Sequence, residues 1–317
     1  KVVKTGRTHL MDAMPLTFAQ EFGAWSAQLA SAQGRIEDSL KRVRRLPIGG
    51  TAIGTAVNTD PGYLRKIVPA LREVSGLPVT QSRDLIDATQ NLDGFVEVSG
   101  AIKTCAVNLS KIANDLRLLS SGPKTGLAEI TLPARQNGSS IMPGKINPVI
   151  PEAVSQAAFN IIGNDLTVTL AAEAGQLELN AFEPVLFHNL FESLDTLRGA
   201  AATFTENCVL GIAANRRRCR ELLEQSAGTV TALTPYIGYQ RAGQLAKLSL
   251  SSGRSVRSLA EEQRLLDPAR LAEVLDPHAR PPSALPARRL PGLRGGEMRQ
   301  PLPPLRRGEA GVADEQA

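Results

Sequence analysis

The sequence lacks any uninterrupted apolar run near the ~18–20 residues that a membrane-spanning helix needs, so no such helix is expected. Its first residues, KVVKTGRTHL, also lack the apolar core of a signal segment. Cysteine is scarce: Cys105, Cys208 and Cys219 are odd in number and far apart, which argues against a disulfide framework or a cysteine zinc cluster. A reducing, cytoplasmic setting without a metal site is therefore expected. Aromatic residues make up only 4% of the 317 positions, although 42% are apolar. Ala and Leu are abundant instead, a balance that suits helix-on-helix packing better than a β-sandwich.

The net charge of +5 could point to a nucleic-acid partner, but its location argues against one. From Pro277 onward, seven Arg face four acids, so +3 lies in that tail and +2 on the 276 residues before it. The Pro/Arg/Gly-rich tail, 277–317, cannot bury apolar surface and is expected to be disordered. No nucleic-acid partner and no membrane contact are expected.

Helical periodicity organises the rest. Residues 1–15 read as a strand or extended turn that enters a helix after Pro15. Phe18, Phe22, Trp25, Leu29, Ile36, Leu40 and Val43 then recur on one helical face, with Pro47, Gly49 and Gly50 as the stop. A Gly-rich stretch follows, ending in the Asp60-Pro61-Gly62 turn. A second stripe runs from Ile102 through Leu109 and Leu116 to Leu119. Thr125–Pro148 is too rich in Gly, Pro and Asn for regular structure. Helical period resumes from Glu152 towards Leu170, and Leu186–Cys208 forms another stripe. The expected fold is all-α: an elongated long-helix bundle over 1–210, with a small helical C-terminal domain over 211–276. Asn215 and Asp267-Pro268 supply cap signals for short helices in that second unit, and Pro235 opens another. Cys105 and Cys208 fall on apolar stripes and read as core, and nothing marks Cys219 or His188 as catalytic.

One segment carries chemistry: Gly138-Ser139-Ser140-Ile141-Met142-Pro143-Gly144-Lys145-Ile146-Asn147-Pro148. A hydroxyl pair, a cation and an amide sit in a Gly/Pro frame, and glycine lets backbone N–H groups approach a ligand closely. Lys and Asn suit carboxylate binding and charge stabilisation. The segment has no GKS/T sequence, which disfavours a phosphate-binding P-loop. On composition alone it reads equally well as a flexible surface loop. Likewise, a lone His such as His9 in a strand–turn is more often structural.

These eleven ordered positions resemble the signature of the fumarase/aspartase superfamily, homotetrameric lyases that eliminate across a Cα–Cβ bond to give fumarate. KTGRTHLMDAMPLTFAQEF resembles the family's second shared region, and SAGTVTALTPYIGYQRA its small C-terminal domain. PVIPEA and GQLELNAFEPV are similar to the aspartate ammonia-lyase branch. The resemblance covers about residues 1–276 and implies several roles. Ser139 matches the general base, Lys145 and Asn147 match the groups that hold substrate carboxylate, and Ser140 lies beside them as a substrate-binding residue. Thr8 and His9 match a pair that reaches another subunit's site near the leaving group, and Glu152 matches the carboxylate that pairs with this histidine. Proton loss makes an aci-carboxylate dianion that fixed donors stabilise, so no cofactor is implied.

The implied reaction is reversible deamination of L-aspartate to fumarate and ammonia. The alternatives are class II fumarase chemistry on fumarate and L-malate, or an inactive helical assembly module. The partners implied are a small dicarboxylate and three further copies of the chain. Met11 stands where the family commonly has Gln, and a polar contact there would be lost. The chain begins where the second shared region begins, so the family's N-terminal substrate-binding segment is expected to lie outside it.

Overall fold

The computed structural model describes residues 2–276; the tail expected from Pro277 onward lies outside the described residues. The chain opens with a hairpin, β1 (Val3–Thr8) and β2 (Met11–Thr17), antiparallel and joined by a two-residue turn at His9-Leu10. Both turn residues have positive φ, 54° and 61°, the backbone hand that matches strand twist in such hairpins. A register shift falls between Thr5 and Arg7, at Gly6. A Cβ at Gly6 would lie 2.3 Å from the Met14 carbonyl oxygen, so the close approach there requires glycine.

Helix α1 (Phe18–Ser39) starts on a complete capping box. The Thr17 hydroxyl accepts from the Gln20 amide, and the Gln20 side chain accepts from the Thr17 amide. The expected stripe ran on to Val43, but the helix stops four residues earlier. Ser39 Oγ donates back to the Ile36 carbonyl at 2.8 Å, and i→i+3 bonds from Lys41 and Arg42 tighten the end into turns. Val43 still packs on the core, from outside the helix.

The chain then forms β3 (Arg45–Leu46), α2 (Pro61–Ser75), β4 (Thr80–Gln81) and α3 (Leu85–Gln90), with β3 and β4 parallel. Periodicity did not single out α2 or α3. The local signals for α2 are its caps: Asp60 accepts from the Gly62 and Tyr63 amides, Pro61 occupies the first turn, and Gly76 ends it at φ 67°.

Three long helices make the body: α4 (Asp93–Leu119), α5 (Val149–Glu173) and α6 (Glu183–Asn207). At about 1.5 Å per residue each is roughly 40 Å long. α5 packs on both α4 and α6, and α1 packs on α4. Their buried faces merge into two cores. One joins Phe18, Trp25, Ile112, Leu116, Val154 and Phe204; the other joins Ile102, Ala158, Ile161, Val168, Leu186 and Leu190. The expected helical bundle is the observed one. Cys208 and Cys219 both fall in the first core, and burial pushes each thiol up to about 11, with the Glu129 charge adding to the rise at Cys219.

Between α4 and α5 lies β5 (Ile130–Thr131), which pairs antiparallel with β6 (Ala213–Ala214). Beyond β6 come α7 (Arg216–Gln225), capped by Asn215 as expected, then a 3-10 segment (Ala227–Leu233) and α8 (Thr234–Ile237). α9 (Tyr239–Ser252), α10 (Val256–Glu262) and α11 (Pro268–Val274) follow, the last capped by Asp267. Leu233, Leu245, Leu259 and Leu271 gather these short helices around a third core. α7 instead turns Cys219 into the first core and packs beside β1.

Candidate active site

The loop entering α5 closes on itself. The Gly138 amide donates to the Lys145 carbonyl at 2.8 Å, and Asn147 Nδ2 donates to the Gly138 carbonyl at 3.1 Å. A Cβ at Gly138 would meet the Lys145 carbonyl oxygen at 2.6 Å and the Asn147 nitrogen at 3.0 Å, so only glycine allows this closure. Gly144 makes the return turn after Pro143 with φ 80°, a conformation that glycine adopts without steric cost.

Within the closed loop, Ser139 is half-buried and its Oγ accepts from two backbone amides, Ile141 at 3.2 Å and Met142 at 3.0 Å. Two donors aimed at one hydroxyl oxygen favour its negatively charged form. Ser140 and Lys145 are exposed, and the Lys145 ammonium has no partner among the described residues. Asn147 is half-buried and uses its amide to hold the loop. Ser139, Ser140, Lys145 and Asn147 therefore share one short loop whose shape is fixed by backbone contacts.

Glu152 stands in the first turn of α5, just past this loop, with its carboxylate 3.5 Å from the Arg117 guanidinium on α4. Thr8 and His9 are elsewhere, exposed at the tip of the β1–β2 hairpin. Within one chain His9 makes no hydrogen bond or ion pair among the described residues, so the expected contact with Glu152 does not form there. A non-glycine residue at positive φ costs of order 1 kcal/mol or more, and His9 and Leu10 carry that strain together. Met11 is 70% exposed beside them.

Two residues near these positions were not legible in the sequence. Arg117 was hidden inside an apolar helix stripe. Glu129 sits at the stem of the loop, fully buried, with Arg7 Nη1 at 2.9 Å and Lys4 Nζ at 3.8 Å. The Glu129 backbone is held as well: its amide donates to the Leu119 carbonyl, and its carbonyl accepts from the Asn215 amide at 2.8 Å. This ion cluster ties β1, which ends in the Thr8-His9 tip, to the segment that leads to Ser139. No sequence signal distinguished Glu129 from a surface acid, because its burial depends on the hairpin folding over it. Among the described residues no group of three or more His, Cys, Asp or Glu is gathered so as to hold a metal ion, and no helix is long and apolar enough to cross a membrane.

Comparison with known proteins agrees with this architecture. A family model described as lyase matches residues 1–163, just over half of the chain, and one described as fumarase C C-terminus matches residues 230–279. The aspartate ammonia-lyase of Pseudomonas aeruginosa is 53% identical over 284 residues, covering 87% of this chain and 58% of that protein. The class II fumarate hydratase of Xylella fastidiosa is 49% identical over 278 residues, covering 88% and 59%. Among solved structures, a fumarate lyase:delta crystallin of Brucella melitensis, bound to cobalt, superposes with a TM-score of 0.85 at 48% identity, covering 88% of this chain and 61% of that one. The chain thus spans about three fifths of the length of the proteins it matches. With the helical body, the loop and both family models in agreement, the chain belongs to the fumarase/aspartase superfamily of lyases.

Proposed function

We propose that this chain supplies the base-bearing loop and helical body of an aspartate ammonia-lyase, which converts L-aspartate to fumarate and ammonia and runs the reverse addition. The observation that carries this reading is the 53% identity with the Pseudomonas aeruginosa aspartate ammonia-lyase across the segment that includes the closed loop. In this mechanism the Ser139 alkoxide removes a proton from the substrate carbon that bears the β-carboxylate. A free hydroxyl is too weak a base for this step, and the Ile141 and Met142 amides are the donors that would lower its cost. The electron pair moves into the β-carboxylate, giving the aci-carboxylate dianion. The unpaired Lys145 ammonium and Asn147 would hold it, with Ser140 alongside. Collapse of the dianion forms the C=C bond and expels ammonia from Cα.

Thr8 and His9 act in this scheme on the leaving-group side of a neighbouring subunit's site, where His9 would meet that subunit's Glu152. Their exposure at a strained tip and the absence of an internal partner for His9 favour such a role. A homotetramer is the matching assembly. Phe159, Ile162, Leu166 and Leu170 form an uncovered apolar stripe on α5, with Phe159 62% and Leu166 61% exposed, and Phe191 and Leu194 are exposed on α6. A monomer rarely leaves so continuous an apolar surface in water. The chain then divides into a bundle to residue 210, a C-terminal helical unit over 211–276 and a tail, acting in the cytoplasm without a cofactor.

Class II fumarase activity is the second reading, favoured by the 49% identity with the Xylella fastidiosa enzyme. Ultraviolet absorbance of fumarate separates the two. L-aspartate should give fumarate and L-malate should not; the reverse pattern would overturn the aspartase assignment.

A further inference from the structure

The near balance of charge over residues 1–276 conceals a local excess at the end of the molecule built by β3 and β4. The turns after α1 carry Lys41 and Arg44, β3 carries Arg45, and the segment after β4 carries Arg83. Parallel pairing of Arg45 with Thr80 and Leu46 with Gln81 brings these two stretches together, though they lie far apart in sequence. The result is an open cleft of about 680 Å³ with all four cations on its wall, joined by Thr80 and Gln81. No carboxylate lines it.

Three of the four charges are uncompensated. Lys41 is paired with Asp38, but the guanidinium groups of Arg44, Arg45 and Arg83 have no hydrogen bond or ion pair among the described residues. Arg44 is only partly exposed, so its charge has given up some water without gaining a partner. Arginines held together in this way repel one another, and an anion spanning them would relieve the repulsion. Arg42, in the same turn, is by contrast matched by Glu97, as Lys103 and Arg117 are matched by Asp165 and Glu152.

The geometry points to a second ligand site in this cleft, separate from the Ser139 loop, that binds a polyphosphate chain. Three free guanidinium groups, beside a Lys41 already matched by Asp38, exceed what a dicarboxylate of charge −2 can neutralise. A triphosphate, with a charge near −4 and several non-bridging oxygens, presents an acceptor pair to each planar fork. The Thr80 hydroxyl and Gln81 add polar groups on the same wall. A nucleoside triphosphate and inorganic polyphosphate share this chemistry.

Isothermal titration calorimetry of the 317-residue chain with sodium tripolyphosphate at low ionic strength tests the site. One saturable site per chain is expected. The double substitution Arg44→Gln and Arg83→Gln keeps the side-chain stems and should weaken binding by at least about tenfold. The control Arg288→Gln and Arg289→Gln removes the same charge from the Arg-rich tail and should leave the affinity unchanged. Parallel titrations with ATP and with long-chain polyphosphate identify the source: tighter ATP binding adds a base contact, and tighter long-chain binding extends the contact along the backbone, each through the same arginines. Three results would overturn the proposal: no saturable binding, equal loss in both double variants, or duplex DNA binding more tightly than tripolyphosphate to the wild-type chain. None of these readouts depends on lyase activity.

Discussion

Gly138→Ala isolates what the loop geometry contributes. The added Cβ would lie 2.6 Å from the Lys145 carbonyl oxygen, 2.9 Å from its carbon and 3.0 Å from the Asn147 nitrogen. All three are backbone atoms, so no side chain can swing aside to make room. The loop must open, giving up the Gly138 amide bond to Lys145 and the Asn147 side-chain bond to Gly138. At about 0.5–1.5 kcal/mol each, the two bonds set a cost of roughly 1–3 kcal/mol, confined to the loop. Because the loop lies outside the buried cores, the helical circular-dichroism signal and its melting curve should barely move. Ser139 follows Gly138 directly, and misplacing a reacting group by about 1 Å costs on the order of 10²-fold in rate. Hydrogen exchange is the direct assay: the Gly138 position and its neighbours should lose protection while the α5 amides keep theirs. Wild-type protection together with an unchanged rate of fumarate formation would refute the closed-loop reasoning.

Glu129→Ala leaves the part-buried Arg7 without its acid, while Lys4 keeps Glu21 at 3.4 Å, and should cost about 3 kcal/mol, the lower end for a broken buried pair, read as a lowered urea midpoint. A loss below 1 kcal/mol, on the order of a surface pair, would show the cluster to be solvated. Burial keeps Cys208 and Cys219 protonated to about pH 11 in the fold, above the 9.0 of a free thiol. They therefore stabilise the folded state fully below pH 9.0, and that contribution is lost as pH rises through about 11. Cys208→Ala and Cys219→Ala together should flatten the alkaline fall in stability, although each cavity lowers its plateau; an unchanged slope would contradict the assigned burial. Leu166→Glu on the uncovered α5 stripe should break the proposed tetramer in sedimentation without lowering helix content. A wild-type chain that sediments as a monomer at micromolar concentration would remove the intersubunit role given to His9.

The long helices were legible because their core residues repeat at helical spacing: Ile102, Leu109, Ile112 and Leu116 all lie buried along α4. The ends of elements were harder. Val43 belonged to the apolar pattern but not to the helix, because the Ser39 hydroxyl and short-range bonds ended α1 first. α2 was missed because its signal lies in its caps rather than in a buried stripe; only Val68 is buried along it. At the candidate site, chemistry could be read from the Gly138–Pro148 motif, whereas partners brought in from afar could not. Arg117 beside Glu152, and Glu129 beneath Arg7, depend on contacts across sequence separations that no local pattern encodes. The basic cleft was hidden for the same reason, since a net charge sums over positions without placing them.

Ser139 is proposed as the base of a fumarate-forming elimination. The most direct test is the rate of fumarate appearance from L-aspartate by a polypeptide carrying this sequence, compared with its Ser139→Ala form. The alanine leaves the loop closure between Gly138, Lys145 and Asn147 intact, so helix content and melting should match the parent. Removing the base should slow turnover by roughly 10²–10⁴-fold or more. A Ser139→Ala protein that forms fumarate at close to the parent rate would contradict the account.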